Sequence, residues 1–253
     1  MALKSLEWEL FQTGVSFLTI RSNIMWKLGD YTDNTMGGRR PYLWDEAIQQ
    51  WKLEPSGWGT SLSIGQNLLF IVNYFSRVYQ RPRSDSTSGW TSPLLLGNDV
   101  KTGFNGDVWF IDNTPITGGF GINKYNPNTF ALTLVNGAGA VKVAPTPDGN
   151  AWIVNNADQI LRYDGTNWNL MPGSAKEIII GEDGIPFIVS STVTDGGFEI
   201  KKWNQSATQW DTLEGIGGIS LALDDRNNPH IVTSNFSVYR PKISSLLNFC
   251  SST

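Results

Sequence analysis

Residues 168–190 read WNLMPGSAKEIIIGEDGIPFIVS. A Trp opens the stretch, a Pro-Gly turn follows, and two apolar runs flank an Asp-Gly pair. Short apolar runs joined by Asp-Gly are the mark of a tight antiparallel hairpin. The same grammar recurs along the chain. Units open at Trp8, Trp51, Trp90, Phe130, Trp168 and Trp210, a period of about 40 residues of the kind expected for stacked β units. Each unit adds a further short strand ending on an aromatic residue: Trp44, Tyr79, Tyr125, Tyr163, Trp203 and Tyr239.

Composition agrees with a turn-rich β protein. The 253 residues include 26 Gly and 11 Trp but only 17% charged residues, and no window carries a helical period. The balance of 19 basic against 23 acidic residues, net −4, argues against a nucleic-acid surface. Cys250 is the only cysteine, so no intrachain disulfide can form. No apolar run is long enough to span a membrane. The start, MALKSLEWELFQTG, lacks the pattern of a signal peptide, and the expected location is cytoplasmic or reached by non-classical export. No cofactor is expected, and the oligomeric state is left open.

Four short strands per unit, six times over, predict an all-β, six-bladed β-propeller with four-stranded antiparallel blades. It covers residues 1–241, and 242–253 form a C-terminal tail. Within a unit, strand A precedes the Asp-Gly turn, B follows it, C ends in the aromatic, and D opens with the next Trp. Because the chain begins with a D strand, that strand is expected to complete the last blade by pairing with residues 236–240, closing the ring and removing sheet edges. The repeated aromatics are expected to fill the spaces between blades.

The unit W-x-x-L/M-P-G-x-A-x-x-I-x-I/V-G-x-D-G-x-x-W/F-x-V resembles the tectonin repeat. Residues 168–189 match it best, residues 130–154 and 210–232 well, and the resemblance extends over residues 8–240. It implies a non-catalytic lectin that recognises surface glycans multivalently, such as lipopolysaccharide sugars or O-methylated glycans. Other propellers with such repeats are protein-interaction scaffolds, which is the alternative reading.

Residues with catalytic potential do not form a legible constellation, and the chain is expected not to be an enzyme. His230 stands in the strand-B slot held elsewhere by Trp26, Trp109 and Trp152, as an inter-blade packing residue would. Asp148, Asp183, Asp224 and Asp225 fall in A–B turns, where Asp bonds its own backbone. The oxygen-rich DDRNN run at 224–228 lacks the spacing of a calcium loop, so no metal site is expected. Cys250 has no nearby His in sequence. The loops between strands B and C vary most, and loops on a rigid scaffold commonly carry binding. Trp58 interrupts a D–A turn where other units have a small residue, and can stack on a sugar ring. Asn73, Tyr74 and Phe75 belong to the neighbouring B–C turn. Arg39 and Arg40 suit an acidic sugar. Asp112, Asn113, Asn155 and Asn156 add polar groups for hydroxyls on the same face.

Overall fold

A computed structural model describes residues 6–84, 89–92 and 95–242, to which all structural statements refer. Residues 243–253, with Cys250 and nearly all of the expected tail, lie outside the described residues. The described chain holds 22 strands and no helix. The first twelve are β1 (Trp8–Gln12), β2 (Phe17–Arg21), β3 (Ile24–Asp33), β4 (Gly38–Asp45), β5 (Gln50–Leu53), β6 (Ser61–Ile64), β7 (Leu68–Val72), β8 (Val78–Pro82), β9 (Gly97–Thr102), β10 (Val108–Ile116), β11 (Gly119–Asn126) and β12 (Ala131–Leu134). The rest are β13 (Lys142–Pro145), β14 (Ala151–Val154), β15 (Gln159–Tyr163), β16 (Trp168–Ile180), β17 (Pro186–Thr194), β18 (Gly197–Asn204), β19 (Gln209–Gly218), β20 (Ser220–Leu223), β21 (Pro229–Val232) and β22 (Val238–Pro241).

All pairings between these strands are antiparallel. Strands β2–β5, β6–β8 and β9–β12 form separate sheets in chain order, and β13–β19 form a continuous one. Strands β20, β21 and β22 are completed by β1 on the far side of β22, with Trp8 opposite Pro241 and Leu10 opposite Tyr239. That pairing is the one expected from the order of the repeats. A Glu9–Arg240 ion pair of 2.8 Å lies across it.

The innermost strands touch one another in succession: β2 with β6, β6 with β9, β9 with β13, β13 with β16, β16 with β20, and β20 with β2. Between successive sheets lie apolar layers such as Leu28, Leu62, Ile64 and Ile71, or Ile111, Ile122, Val143 and Ile153. Burying such side chains is worth about 1.5–3 kcal/mol each.

The motif at 168–180 folds as one bent strand rather than strand, turn and strand. The first half of β16 pairs with β15 and the second half with β17. The bend falls at Gly173, whose φ is +88°, and a Cβ there would meet the Trp210 ring at 3.0 Å. The carbonyl just before this glycine, Pro172, accepts a 2.7 Å hydrogen bond from Trp210 Nε1. The arrangement repeats: Trp90 donates to Ser56 before Gly57, Trp168 to Asn136 before Gly137, and Trp8 to Glu214 before Gly215. The recurring glycine, preceded by Pro only at Gly173, thus has a physical cause. A left-handed glycine, which alone avoids the Cβ penalty, turns a carbonyl toward the next unit's indole. Each bond contributes about 1 kcal/mol net.

Aromatic residues do fill the inter-sheet spaces. Trp109 meets Tyr163 and Trp168 edge-on at 6.1 and 6.4 Å. One unit further on, Trp152 meets Trp203 and Trp210 at 5.9 and 6.2 Å. In the third unit the pattern slips. Tyr125 stands opposite Leu132, whereas Tyr163 and Trp203 stand opposite Trp168 and Trp210. Phe130, read as the opening aromatic, lies in the preceding turn with φ +59° and is more than half exposed.

On the side of the sheets where B turns into C, long hairpins alternate with short turns. The hairpin tips Gly37-Gly38, Gly118-Gly119 and Gly196-Gly197 share nearly identical left-handed φ values, 95/139°, 91/138° and 83/142°. A Cβ on Gly38, Gly119 or Gly197 would come within 2.6 Å of the backbone of Gly59, Ala140 or Gly218. Each tip is gripped by the short turn of the next unit. Tyr74 N–H donates to the Gly37 carbonyl at 2.6 Å, Asn156 N–H to Gly118 at 2.9 Å, and Ser234 N–H to Gly196 at 2.8 Å. Paired units are thereby clasped, three times round the molecule.

Candidate functional site

The three clasps are equivalent in backbone and differ in side chains. After the tip glycines come Arg39-Arg40 in the first, Phe120-Gly121 in the second and Phe198-Glu199 in the third. Across from them, Arg39 bridges Gly59, Phe120 bridges Ala140, and Phe198 pairs with Gly218. The residue before that partner is Trp58, Gly139 or Gly217. In the second and third clasps only glycine fits there, since a Cβ would stand 2.5 Å from the Thr117 carbonyl or 2.4 Å from that of Asp195. The first clasp alone has room for an indole.

Around Trp58 the first clasp is polar where the others are apolar. Arg40 lies over the Trp58 ring at 5.0 Å and donates to the Glu54 carbonyl at 2.6 Å. Glu54 occupies the position of buried Leu213 in the third clasp and is itself buried. Its carboxylate meets Arg81 Nη1 at 2.7 Å, and the Arg81 guanidinium lies between the rings of Trp26 and Trp90 at 5.2 and 5.0 Å. A buried guanidinium so placed is balanced by its carboxylate partner and two π faces. Arg39 reaches toward the Phe236 ring at 5.8 Å, and its Nε is buried without a hydrogen-bond partner.

The gripping turn differs as well. Tyr74 and Phe75 stand where the second clasp has Asn156-Ala157 and the third Ser234-Asn235. They are 63% and 54% exposed and pack edge-to-face at 6.3 Å, with exposed Met36 on the hairpin of the preceding unit. Asn73 is buried beneath them. Its Oδ1 accepts from the N–H groups of Phe75 and Arg77, both at 2.9 Å, as a turn-forming Asn does.

The other sequence-derived residues lie apart from this cluster. Asn155 repeats the Asn73 role, its Oδ1 accepting from Ala157 and Gln159 N–H. Asn156 is exposed and supplies its backbone N–H to the second clasp. Asp112 accepts from Thr114 and Gly121 N–H and from Asn123 Nδ2, and Asn113 is exposed beside it. Trp58, Arg39, Arg40, Tyr74 and Phe75 are thus brought together, whereas Asp112, Asn113, Asn155 and Asn156 belong to the second clasp.

A separate group of ionisable residues lies at the centre, where β2, β6, β9, β13, β16 and β20 line a narrow space of about 90 Å³. Asp99 is fully buried, accepts from Ser61 Oγ at 3.1 Å and faces Lys101 Nζ at 3.7 Å. Burial pushes the Glu177 carboxyl above its ordinary range, and Asp99 adds to this, while Lys142, Lys101 and Ser220 oppose it. Asp99 and Lys101 lie two residues apart on β9, whereas Glu177 comes from β16, so no local motif announced the group.

His230 is buried in the strand-B slot, edge-on to Phe11 at 5.9 Å. Burial lowers its imidazole pKa, partly offset by Asp224. Asp148, Asp183 and Asp224 accept backbone N–H bonds within their own turns, and Asp225 accepts from Ser22 N–H.

Neither a family model nor a curated protein matches the sequence. Solved structures do match the fold. A gluconolactonase-like protein aligns over 93% of this chain and 91% of its own, with TM-score 0.62 and 14% identity. A streptogramin B lyase aligns over 96% and 99%, with TM-score 0.63 and 13% identity. YCF48 bound to a D1 peptide aligns over 97% and 86%, with TM-score 0.55 and 15% identity. The likeness establishes a β-propeller fold. It also corrects the expectation that the chain is not an enzyme, because two of these neighbours are named for enzymatic activities. The physical reason is that a propeller brings ionisable groups together from distant strands, as it brings Glu177 of β16 to Asp99 and Lys101 of β9, so the lack of a constellation along the sequence excludes no activity. No described helix is long and apolar enough to cross a membrane.

Proposed function

We propose that the chain is a six-bladed propeller of the tectonin type, closed by β1, and that it binds carbohydrate at the first clasp. The succession of contacts among the innermost strands and the β1–β22 pairing support the blade count and closure. The observation that carries the binding reading is the pair of exposed aromatics Tyr74 and Phe75, present at one of three otherwise equivalent clasps. Flat apolar rings suit the C–H face of a sugar, and the adjoining Arg39 guanidinium suits its hydroxyl or acidic groups. Lipopolysaccharide sugars and O-methylated glycans are the ligands that the tectonin resemblance implies.

The test is a glycan array probed with wild-type protein and a Tyr74→Ser/Phe75→Asn variant, which installs the third clasp's own residues. Glycan binding by the wild type that the variant loses supports the proposal. Absence of glycan binding at high protein density sinks it. Capture of a peptide by the same aromatics would instead support the scaffold reading, which YCF48 with its bound D1 peptide favours by analogy of fold.

A further inference from the structure

On the face opposite the clasps, a cleft of about 600 Å³ opens between β7–β8 and β10–β12. Its origin lies in the sequence. In two other interfaces a strand-B Trp and a strand-D Trp fill this space together, as Trp109 with Trp168 and Trp152 with Trp210 do. Here Phe70 replaces the first indole and Leu132 stands in the register position of the second. Only Phe70 and Tyr125 remain as an aromatic pair, edge-on at 6.1 Å. The missing ring volume is left open to solvent.

We propose that this cleft is a binding site for a neutral polyhydroxylated ligand of one or two sugar rings. At its base lie Phe70 and Tyr125, 1% and 4% exposed, so the surface offered to a ligand is chiefly that of the walls, which carry the amides of Gln66, Asn67 and Asn128. Planar amides offer donors and acceptors at fixed angles, which match ring hydroxyls. Tyr125 Oη is held by donation to Gln80 Oε1 at 3.0 Å, so the floor is rigid. The charged lining residues are Asp107 and Lys124, and they face each other at 3.7 Å. The cleft therefore offers no unbalanced charge to an acidic or basic ligand, unlike the arginines of the first clasp. Its size falls within the range of about 300–1,000 Å³ typical of small-ligand sites.

This inference does not rest on the first clasp, and the experiment separates the two. Saturation-transfer NMR with maltose, lactose and N,N′-diacetylchitobiose is compared among wild type, the Tyr74→Ser/Phe75→Asn protein, and Thr133→Trp and Gln66→Ala/Asn128→Ala proteins that also carry Tyr74→Ser/Phe75→Asn, so that sugar held at the first clasp does not contribute to the cleft variants. Thr133 is exposed on β12 at the cleft wall, so an indole there covers the opening with the fold intact. Transfer to at least one disaccharide is expected. It should vanish in Thr133→Trp, weaken about tenfold or more in the amide variant, and persist in the Tyr74/Phe75 variant. No transfer to any of the three sugars, transfer that survives both cleft variants, or stronger transfer to galacturonate would overturn the proposal. Near-UV circular dichroism verifies folding, and the amide variant decides the question if Thr133→Trp fails it.

Discussion

The first clasp and the third share a backbone and part company in chemistry. Both present two left-handed glycines to the next unit's turn, and both bridge back to a linker strand. In the third, Phe198, Leu213 and Gly217 make an apolar, closely fitted joint. In the first, Arg39, Glu54 and Trp58 stand in those places. Geometry is therefore set by the glycines and main-chain bonds, and side chains are free to vary only where a linker leaves space for a Cβ. A repeat fold gains chemical variety by relaxing one copy of a joint that the other copies keep.

This comparison can be broken most forcefully at the glycines. Gly38→Val, Gly119→Val and Gly197→Val should each destabilise the protein by about 3 kcal/mol or more, since strain at left-handed φ adds to a backbone clash. Urea denaturation checks it. Similar losses at all three sites sharpen the equivalence, and a loss confined to one breaks it. A comparable loss, about 3 kcal/mol, is expected for Glu54→Val, which gives the first clasp an apolar residue but leaves Arg81 buried without its carboxylate. Adding Arg81→Met should recover most of that loss. If the single variant is as stable as wild type, the ion pair contributes nothing to the first clasp.

Trp168→Phe removes the bond to the Asn136 carbonyl and part of the packing on Trp109. A loss of about 1–2 kcal/mol is expected in thermal or chemical unfolding. The smallest effect concerns pH. His230 has a lowered pKa in the folded protein, so its stabilising contribution is present above the ordinary imidazole value of 6.5 and is lost as pH falls through the native value. His230→Phe, which keeps a ring against Phe11, should flatten the decline in stability from pH 7 to about pH 5. An unchanged slope would remove the imidazole from the account.

Much of the architecture was legible because it rests on local rules. Trp168 and the glycines announce their strands and turns, and the chain's starting phase announces that β1 must find β22. The residues of the proposed site were legible as departures from the repeat. Trp58 stood out because it breaks a small-residue pattern, and Tyr74 and Phe75 lie in a turn that varies. Asn73, Asn155 and Asp112 turn out to build turns, and an amide or carboxylate that does so has the same composition as one that binds a ligand. The slip at Leu132 was hidden by Phe130, an aromatic two residues too early. Glu177 meets Asp99 and Lys101 only through the fold.

The pairing of β1 with β22 also has a consequence for how the protein is made. The Trp8–Glu214 and Glu9–Arg240 contacts join residues 206 and 231 positions apart. Among the described strands, β1 leaves the ribosome first and its partner last. Throughout synthesis β1 is an unpaired strand exposing Leu10, and the loop it must close is the longest in the molecule. The β1–β22 pairing is thereby a late event with a large entropic cost, and the growing chain is open to mispairing or capture at β1 until then.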